Sequence, residues 1–559
     1  MDQVVYDMST SSAEAPSVFL RKDWVSIMDN NNGVYTSNTC TIDTSALSNS
    51  NRYMSWRESY LSIPLLLSVS ASADPAFNTA ATSGDYAFGL KNSYASVIHS
   101  IQVDLQGSTC IQQTSFINIW NCFRLLTTLS WQDVATLGPS IGFYPDTSTS
   151  FEWFAAAGLS GMGVCNNLNY AAQPVVSGAF NAQDSWNRGF YERQRMINFD
   201  PAALSGVGAG AFTTLISVAN IRNIYKSYIQ TRLSGAVNVN ALQFCIMANV
   251  MLRHLHPFFD KMVLSKGVFM KIQLVLNNAT VSVPIAVGAT LGIPQVSVPS
   301  GGLNPIMIAS AQVSNGSVTL ATATYGVSLS IGNKVLGSVN GTAAQAGGTL
   351  GASIMLNVPS IVFNPQFESA YLSSPVKNIE YSDVYFYQVL NIPSSGYLNN
   401  LVTNGIAGIK SVLVVPFINV ASCPAGVSPL LSPYDPCGGG TTSPLSHLYN
   451  FQVVVSGQNS LYNNQRWTYE AFLQQLNGQN AVNGNVVDGL GSSLISQQDF
   501  ENSYCYYYVN LERALPIERT VPKSVVIQGQ NMSALTMDYF IFVEMSANVA
   551  LNVILGSRV

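Results

Sequence analysis

Histidines and acidic residues are the side chains of this sequence that could bind a metal or carry out acid–base catalysis. Only four histidines occur, and two of them, His254 and His256, alternate in a stretch with the character of a strand. Residues two apart on a strand share a face, so this pair would supply half of a zinc site. The spacing indicates no third ligand, and Pro257-Phe258-Phe259 is typical of a strand that ends in a packed turn. We therefore predict no metal site.

The carboxylates offer no better catalytic arrangement. Glycoside hydrolysis needs two carboxylates in one cleft, and Glu380 and Asp383 lie three apart on a predicted strand, which turns them to opposite faces. Glu470 follows the predicted helix cap Thr468, where the helix dipole favours a carboxylate for structural reasons. The patch ERQR (192–195) is the most charged segment, and we interpret it as a solvated or interface ion-pair cluster.

No nucleophile elbow and no P-loop occur in the sequence. The run of Tyr504, Tyr506, Tyr507 and Tyr508 resembles the aromatic platforms of sugar-binding sandwiches. Strand alternation would nevertheless send these rings to both faces, as in a strand packed on both sides or at an interface. We predict no catalytic, cofactor-binding or metal-binding residues, and we expect that the protein is not an enzyme.

The scarcity of charge limits the class of protein. The 559 residues include 24 Lys and Arg and 29 Asp and Glu, or 9% charged residues, against about 25% in typical domains. A monomer of this size would expose roughly 19,000 Å², which these charges would cover thinly. The formal net charge of −5 also argues against nucleic-acid binding through the overall field. A membrane protein, a secreted β protein and an assembly subunit remain.

The first two classes are disfavoured. A spanning helix needs about 20 apolar residues, and the best run, 281–298, is broken by Pro284 and Pro294. No apolar segment of a signal peptide follows Met1-Asp2-Gln3, so we expect no secretion. The cysteines form no CxxC pair, and we predict buried free thiols. They are Cys40, Cys110, Cys122, Cys165, Cys245, Cys423, Cys437 and Cys505.

Short strands dominate the predicted structure. Runs of β-branched and aromatic residues alternate with Gly, Pro, Asn and Ser, which is typical of β-sandwiches. The clearest runs are 62–70, 268–276, 376–390, 409–418, 504–509 and 539–545. Long irregular connections, of the kind that form exposed tips, are predicted at 139–187, 421–446 and 477–491.

Two predicted helices indicate an internal duplication. They cover about 115–129 and 468–476, with apolar residues at helical spacing. The strands before them, IQVDLQG (101–107) and FQVVVSG (451–457), match position for position. We predict two β-sandwich units with one helix inserted at an equivalent place in each.

Several motifs are similar to those of double jelly-roll major capsid proteins, above all those of polinton-like viruses and virophages and more distantly those of large eukaryotic DNA viruses. In the second half they are PVKNIEYSD (375–383), NGIAGIKSVLVVPF (404–417), VSGQN (455–459), RWTYEAF (466–472), VPKSV (521–525) and GQNMSAL (529–535). In the first half they are Gln106-Gly107, WNCF (120–123) and LSKG (264–267). The resemblance is strongest over 350–559 and patchier before.

The resemblance implies an all-β fold of two tandem eight-stranded jelly-roll sandwiches with short inserted helices. The predicted division is an N-terminal arm at 1–30, a first jelly roll at 31–285 and a second at 286–559, of which 286–350 is an insertion or linker with extra strands. Loops 139–187 and 421–446 would lie at the outer surface, and the arm would lie at the inner face or bridge neighbours.

The resemblance also implies a function. The chain would be a major capsid protein that forms homotrimers of pseudo-hexagonal outline and tiles an icosahedral shell with neighbouring trimers. Its partners would be itself, penton proteins and minor or cement proteins, with no cofactor and no sequence-specific nucleic-acid binding; contact with an internal membrane stays open. It would reside in the virion after assembly inside the host cell. The alternatives are a carbohydrate-binding or carbohydrate-cleaving β-sandwich protein and a spike or penton protein.

Overall fold

The protein is described here from a computed structural model. The structure describes residues 17–48, 50–71, 88–91, 93–146, 152–155, 163–166, 189, 192–193, 229–234, 240–285, 304–308, 323–332, 334–335, 338–339, 342–343, 349–350, 353–419, 447–461, 466–477, 492–502, 504, 506–511 and 520–559.

Strands make up most of the described structure. Those of the N-terminal part are β1 (Phe19–Met28), β2 (Thr39–Asp43), β3 (Tyr53–Met54), β4 (Tyr60–Ala71), β5 (Phe88–Leu90), β6 (Ile98–Leu105), β7 (Ser108–Ile111), β8 (Glu152–Ala155), β9 (Gly163–Asn166), β10 (Ile229–Ser234), β11 (Asn240–Met251), β12 (Met270–Leu276), β13 (Ala279–Ile285), β14 (Ile306–Ile308), β15 (Ala323–Ile331), β16 (Lys334–Val335), β17 (Ser338–Val339), β18 (Thr342–Ala343), β19 (Thr349–Leu350) and β20 (Met355–Phe363). Those of the C-terminal part are β21 (Val376–Ile392), β22 (Tyr397–Ile406), β23 (Ile409–Ile418), β24 (Leu448–Val455), β25 (Gln458–Asn459), β26 (Tyr507–Asn510), β27 (Lys523–Asn531) and β28 (Met537–Asn552).

The helices are short and lie in the connections between strands. They are α1 (Ser45–Ser48), α2 (Ile117–Thr128), α3 (Trp131–Ile141), α4 (Leu252–Leu255), α5 (Pro257–Lys261), α6 (Pro365–Leu372), α7 (Tyr469–Asn477) and α8 (Gln497–Asn502), with 3-10 turns at Trp56–Glu58 and Tyr94–Val97. Within the described residues, none of these helices is long and apolar enough to span a bilayer.

The C-terminal half forms two four-stranded antiparallel sheets around one core. Sheet 3 has the order β21-β28-β23-β26, and sheet 4 has the order β22-β27-β24-β25. Counted along this half, sheet 3 contains the first, eighth, third and sixth strands, and sheet 4 the second, seventh, fourth and fifth. This distribution of strands is the jelly-roll topology, so the predicted eight-stranded sandwich is confirmed here.

The N-terminal half repeats this topology with one change. Sheet 2, of order β2-β12-β6-β7, matches sheet 4. Sheet 1, of order β1-β20-β4-β11-β10, matches sheet 3, and it also carries β3, β13 and β15. In the second half, the eighth strand pairs with the third along its length. Here two strands pair with β4 in its place: β20 with residues 60–62 and β15 with residues 65–71.

The strand pairing bears on the division into two units. β20 pairs antiparallel with β1 along most of its length, although its residues were assigned to the second unit by the predicted boundary at 285. These pairings favour a boundary after Phe363, in the segment that contains α6. Of the predicted arm, residues 19–28 form the strand β1 of sheet 1, and residues 1–16 lie outside the described residues.

Two hairpin turns support the internal duplication. Gln106 and Gly107 join β6 to β7 with φ angles of 52° and 78°, and Ser456 and Gly457 join β24 to β25 with φ angles of 50° and 82°. Two consecutive positive φ angles make the type I′ turn of tight hairpins. A Cβ atom would meet nothing within 4 Å at Gly107 or Gly457, so glycine is favoured there by its backbone freedom.

Both predicted helices are present as α2 and α7, but the sequence did not predict α3. A capping box begins α3: the Ser130 hydroxyl accepts from the Asp133 amide at 3.1 Å, and the Asp133 carboxylate accepts from the Ser130 amide at 2.8 Å. Pro139 lies inside the helix, so the irregular connection predicted to begin at residue 139 begins after α3. The motif Ser130-x-x-Asp133 was the available signal for this helix.

The two halves exchange parts of their cores. Helix α2 of the first half packs on sheet 3, where the Trp120 ring lies 6.1 Å from Phe542 and the Phe123 ring 5.3 Å from Tyr508. In return, the ends of β21 and β28 enter the core of the first half. Their residues in that core are Ile379, Tyr381, Val549 and Leu551.

Candidate functional site

The two histidines considered as metal ligands lie on helices and not on a strand. His254 belongs to α4, and His256 lies between α4 and α5 as the cap of α5. The prediction that they share a strand face is therefore wrong, because Pro257 begins a new helix where a packed turn was expected. Among the described residues, no group of three or more His, Cys, Asp or Glu side chains is placed to hold a metal.

His256 instead joins the two halves. Its Nδ1 accepts from the Phe258 amide at 3.2 Å, so its Nε2 carries the proton of the neutral ring and donates to Asp383 Oδ1 at 3.2 Å. Burial lowers the pKa of His256, and the nearby Asp383 carboxylate opposes that effect. Both side chains are buried, which is the arrangement of a structural contact and not of a solvent-accessible catalytic base.

The remaining carboxylates also have structural positions. Glu380 is exposed whereas Asp383 is buried, which confirms that the two point to opposite faces. Glu470 lies in the first turn of α7, and the backbone amide there together with the Thr468 hydroxyl lowers its carboxyl pKa. The Thr468 hydroxyl accepts from the Ala471 amide at 3.4 Å, so the predicted cap is confirmed.

The tyrosine run is buried and offers no sugar-binding platform. Tyr506 and Tyr508 approach Phe123 of α2, at ring distances of 5.0 and 5.3 Å. Tyr507 points to the opposite face and approaches Phe451 at 5.1 Å. The prediction of a strand packed on both sides is confirmed.

The position of Arg193 in the structure differs from the predicted one. It is buried, whereas we had interpreted its patch as a solvated or interface cluster. Its guanidinium donates to the carbonyl oxygens of Leu90 and Tyr144 and pairs with Asp146 at 2.7 Å. The guanidinium of arginine has five N–H donors, so this one side chain can satisfy three buried acceptors. These partners explain why Arg193 is buried, although its charged neighbours in the sequence indicated an exposed position.

The structure describes the thiols of three of the eight cysteines, Cys40, Cys110 and Cys122. All three are buried and free, as predicted. Burial raises the pKa of each of these thiols. They therefore stay protonated and act as small apolar side chains.

With no reaction centre among these residues, the outward faces of the sheets are the remaining functional candidates. On β1, Trp24, Ser26 and Met28 point outward, while Val25 and Ile27 pack on the core. Trp24 is 52% exposed and Met28 is 64% exposed. We call the outward surface formed by β1, β20, β4 and β11 the sheet-1 face.

An uncharged hydrogen-bonded row crosses the sheet-1 face. The Ser26 hydroxyl donates to Asn357 Oδ1 at 2.5 Å, Asn357 Nδ2 donates to the Ser62 hydroxyl at 3.0 Å, and that hydroxyl donates to Asn249 Oδ1 at 3.2 Å. Among the described residues, Lys22 on the same face pairs with Glu58, and its ammonium lies 5.8 Å from the centre of the Trp24 ring. This face was not predicted, because residues 1–30 were expected to form an arm; the period-two alternation of Trp24, Ser26 and Met28 was the available signal.

Among the described residues, the strands of sheet 4 turn no charged side chain outward at the centre of that sheet. Tyr397 and Tyr449 both lie beside Gln530, and Leu401 lies beside Val526. Tyr397 is 78% exposed. Among the described residues, the two sheet faces thus carry mainly aromatic, aliphatic and amide groups, with the Lys22–Glu58 pair beside Trp24 on the sheet-1 face.

Comparison with known proteins bears on the fold. No protein-family model matches the sequence, and no curated protein matches it. Among solved structures, a chain of the Sputnik virophage aligns over 98% of this chain and 89% of its own, with a TM-score of 0.50 and 10% identity. The mavirus major capsid protein aligns over 99% and 94% with a TM-score of 0.43 and 10% identity. The Faustovirus major capsid protein aligns over 96% and 91% with a TM-score of 0.43 and 9% identity.

The Sputnik alignment covers nearly all of both chains, and it agrees with the strand order of the four sheets. The chain has the double jelly-roll fold, and the predicted resemblance is confirmed at the level of the fold.

Proposed function

We propose that this chain is a major capsid protein, a structural subunit whose trimers form pseudo-hexameric capsomers of an icosahedral viral shell. The observation that carries the proposal is the presence of two jelly rolls in one chain, locked together by shared cores. Two similar units in each of three chains would give six similar positions around a ring, which is the outline of a hexagonal tile.

The surface chemistry supports an assembly subunit. The exposed sheet-1 and sheet-4 faces lack charge at their centres. Burying such faces against another subunit avoids the desolvation of unpaired ions. The low charge of the chain, 9% of residues, is accounted for if its sides are covered by neighbours.

The placement of the outer loops follows from the resemblance to capsid proteins. The 421–446 connection lies outside the described residues, but it is attached between β23 and β24, at the end where Asn419 bonds to Asp538. The Ser456-Gly457 hairpin lies at the other end of β24. We place the 421–446 connection on the outer surface of the shell. By the same strand directions in the first half, the 139–187 connection would also lie there.

The carbohydrate-binding alternative is not favoured. Its aromatic platform is buried beneath α2, and its candidate carboxylates, Glu380 and Asp383, face opposite sides of a sheet. A penton or spike role is also disfavoured, since a single jelly roll was expected for penton proteins and this chain has two.

The proposal carries further expectations. The partners would be two more copies of the chain, neighbouring trimers, penton proteins and minor or cement proteins, and the protein would reside in the virion after assembly in the host cell. We expect no enzymatic activity and no cofactor.

Light scattering and negative-stain microscopy of the purified full chain would test the proposal. We expect a mass of three times the 60.1 kDa of one chain and particles of pseudo-hexagonal outline or closed shells. A stable monomer that forms no larger particle at micromolar concentration would overturn it.

A further inference from the structure

All four histidines lie among the described residues, and three of them lie where the two halves meet. His254 and His256 belong to the segment 252–261, which contains α4 and α5 and contacts α2 and β21. His99 lies on β6, beside the start of α2. We call the contact of residues 116–128 and 252–261 with sheet 3 the joint. The three imidazoles lie on the first-half side of the joint.

His256 holds the joint together in its neutral form. Its Nε2 donates to Asp383 of β21 at 3.2 Å, and its Nδ1 accepts from the Phe258 amide at the start of α5. Both ring nitrogens are thus used with a single proton on the ring. A second proton, on Nδ1, would point at the Phe258 N–H, so protonation removes the acceptor that caps α5.

The groups that face His256 come from two other elements. β21 supplies the Asp383 carboxylate and the Tyr381 ring, which lies 6.1 Å away, and α2 supplies the Arg124 guanidinium. Burial lowers the pKa of His256, the Asp383 carboxylate opposes this effect, and Arg124 adds to it. His256 is 1% exposed, so the neutral ring is the form that fits the closed joint.

His99 lies in an apolar contact. Its ring packs edge-on against Phe116 at 4.8 Å, and the Phe116 ring lies 4.8 Å from Phe540 of sheet 3. Among the described residues, no group bonds to its buried Nδ1, and burial alone lowers the pKa of the ring to about 4. A proton here would place a charge in an apolar site without a counter-ion.

His254 lies beside cations. Burial lowers its pKa to about 4, Arg253 and Arg124 contribute to that fall, and Asp260 of α5 opposes it. Arg124 acts on both histidines of the segment 252–261, because α2 packs on α4. Protonation of His254 would therefore add a third positive charge to a partly buried cluster.

We propose that the joint is an acid-operated latch, which is closed while His99, His254 and His256 are neutral and opens when they take up protons. The inference goes beyond the proposed assembly, since every contact that it uses lies within one chain. An imidazole exposed to water binds its proton below about pH 6.5, whereas these rings resist protonation while the joint is closed. The opened joint therefore binds more protons below that pH, so the free energy of opening falls as the pH drops. Above that pH the latch keeps its full stability.

Opening in this sense is the local separation of α2, α4 and α5 from sheet 3. Asp and Glu side chains in water titrate near about pH 4, so histidines dominate between pH 7 and pH 5. For His99 and His254, a pKa change from 6.5 to about 4 corresponds to about a twentyfold shift each over this range. The three histidines together should shift the opening equilibrium by at least about a hundredfold.

Hydrogen–deuterium exchange of the purified full chain between pH 7 and pH 5, corrected for the intrinsic exchange rate, measures the opening. We expect protection of the α2 amides to fall at least about a hundredfold, with about two to three protons bound per opening event. β27 of sheet 4 lies outside the joint and should stay better protected than α2 at pH 5. Equal protection of α2 and β27 at pH 5 would indicate global unfolding and contradict a latch.

Variants that cannot titrate in this range identify the groups. H256N keeps an acceptor for the Phe258 amide, and H99F keeps an aromatic ring. Each single variant should lower the number of protons bound per opening by about one, and H99F/H254N/H256N should reduce the acid-induced loss to less than about tenfold. The control W131F, at an exposed ring of α3, should keep the wild-type loss. Circular dichroism and thermal melting at pH 7 should show that the variants fold.

The outcomes separate this inference from the proposed function. Fewer than about two protons bound per opening in the wild type, or the same acid-induced loss in H99F/H254N/H256N as in the wild type, would overturn the latch. The wild-type measurement decides the question if the triple variant fails to fold. A monomeric wild type that shows the acid response would overturn the proposed function and leave the latch standing.

Discussion

The hydroxyl of Tyr381 donates a 2.6 Å hydrogen bond to the carbonyl oxygen of Cys110, and this bond crosses from the second half of the chain to the first. Tyr381 lies on β21, while Cys110 lies on β7 of sheet 2. The ring of Phe258 packs edge-on against Tyr381 at 5.0 Å. Burial raises the pKa of the Tyr381 hydroxyl above its usual value, so the hydroxyl stays protonated and able to donate at neutral pH.

Replacing Tyr381 with phenylalanine is expected to lower the free energy of unfolding by about 1–3 kcal/mol. The ring stays in place, but the buried Cys110 carbonyl loses this donor. Chemical denaturation monitored by circular dichroism measures the change. Tyr385→Phe is the matched control on the same strand, where the ring is partly exposed, and it should change stability by less than about 0.5 kcal/mol. Equal effects of the two variants would contradict the role of the Tyr381 bond.

His99 is expected to make the protein less stable in acid. Its ring packs on Phe116 at 4.8 Å, and burial lowers its pKa from 6.5 to about 4. Between these values the unfolded chain binds a proton that the folded chain does not, so the free energy of unfolding falls as the pH drops. The loss attributable to His99 should be on the order of 2 kcal/mol at pH 5.

The variant His99→Phe isolates this contribution. Denaturation at pH 7 and pH 5 should show a smaller acid loss in His99→Phe than in the wild type. Trp131→Phe, at an exposed ring that cannot titrate, should keep the wild-type pH dependence. An unchanged acid loss in His99→Phe would show that other groups cause it.

Alanine at either hairpin glycine should destabilise the protein by about 1–2 kcal/mol, because a Cβ disfavours the left-handed backbone angle. Gly107→Ala and Gly457→Ala should have similar effects, since their φ angles are 78° and 82°. Gly405→Ala is the control, as a Cβ there also meets nothing within 4 Å and no left-handed angle is present. Thermal melting measures the stability of the three variants. If only one of Gly107→Ala and Gly457→Ala lowered the melting temperature, the two turns would not be equivalent.

Phe123→Ala should remove about 3–5 kcal/mol of stability, because it opens a cavity between α2 and sheet 3. Its ring contacts both Tyr506 and Tyr508, so both halves should lose stability in one cooperative transition. Trp131→Ala, at an exposed ring of α3, should be nearly neutral. Two separate transitions in calorimetry would show that α2 does not couple the halves.

The sequence predicted those features that depend on local spacing. Alternation along 376–390 located β21, and helical spacing around Trp120 and Tyr469 located α2 and α7. The matched segments IQVDLQG (101–107) and FQVVVSG (451–457) located β6 and β24, because strand alternation is a local property.

Features that depend on distant pairing were missed or displaced. Nothing local to 355–363 indicates that β20 fills the last place in sheet 1 beside β1. The residues around His256 resemble a strand, and nothing near it in the sequence indicates its contact with Asp383, which lies 127 positions away. The sheet-1 face was overlooked for the same reason, since its hydrogen-bonded row joins residues from four separate strands.

The exchange of core residues also determines when the protein can fold during its synthesis. Sheet 1 lacks β20 until residue 363 has been made, and the first core lacks Val549 and Leu551 until the last strand emerges. Contacts over such distances form slowly, so the nascent first half leaves the ribosome with apolar surface uncovered. A chain terminated before residue 363 would lack the last strand of sheet 1, and one terminated before residue 549 would lack Val549 and Leu551, so in either case the first core would stay incomplete.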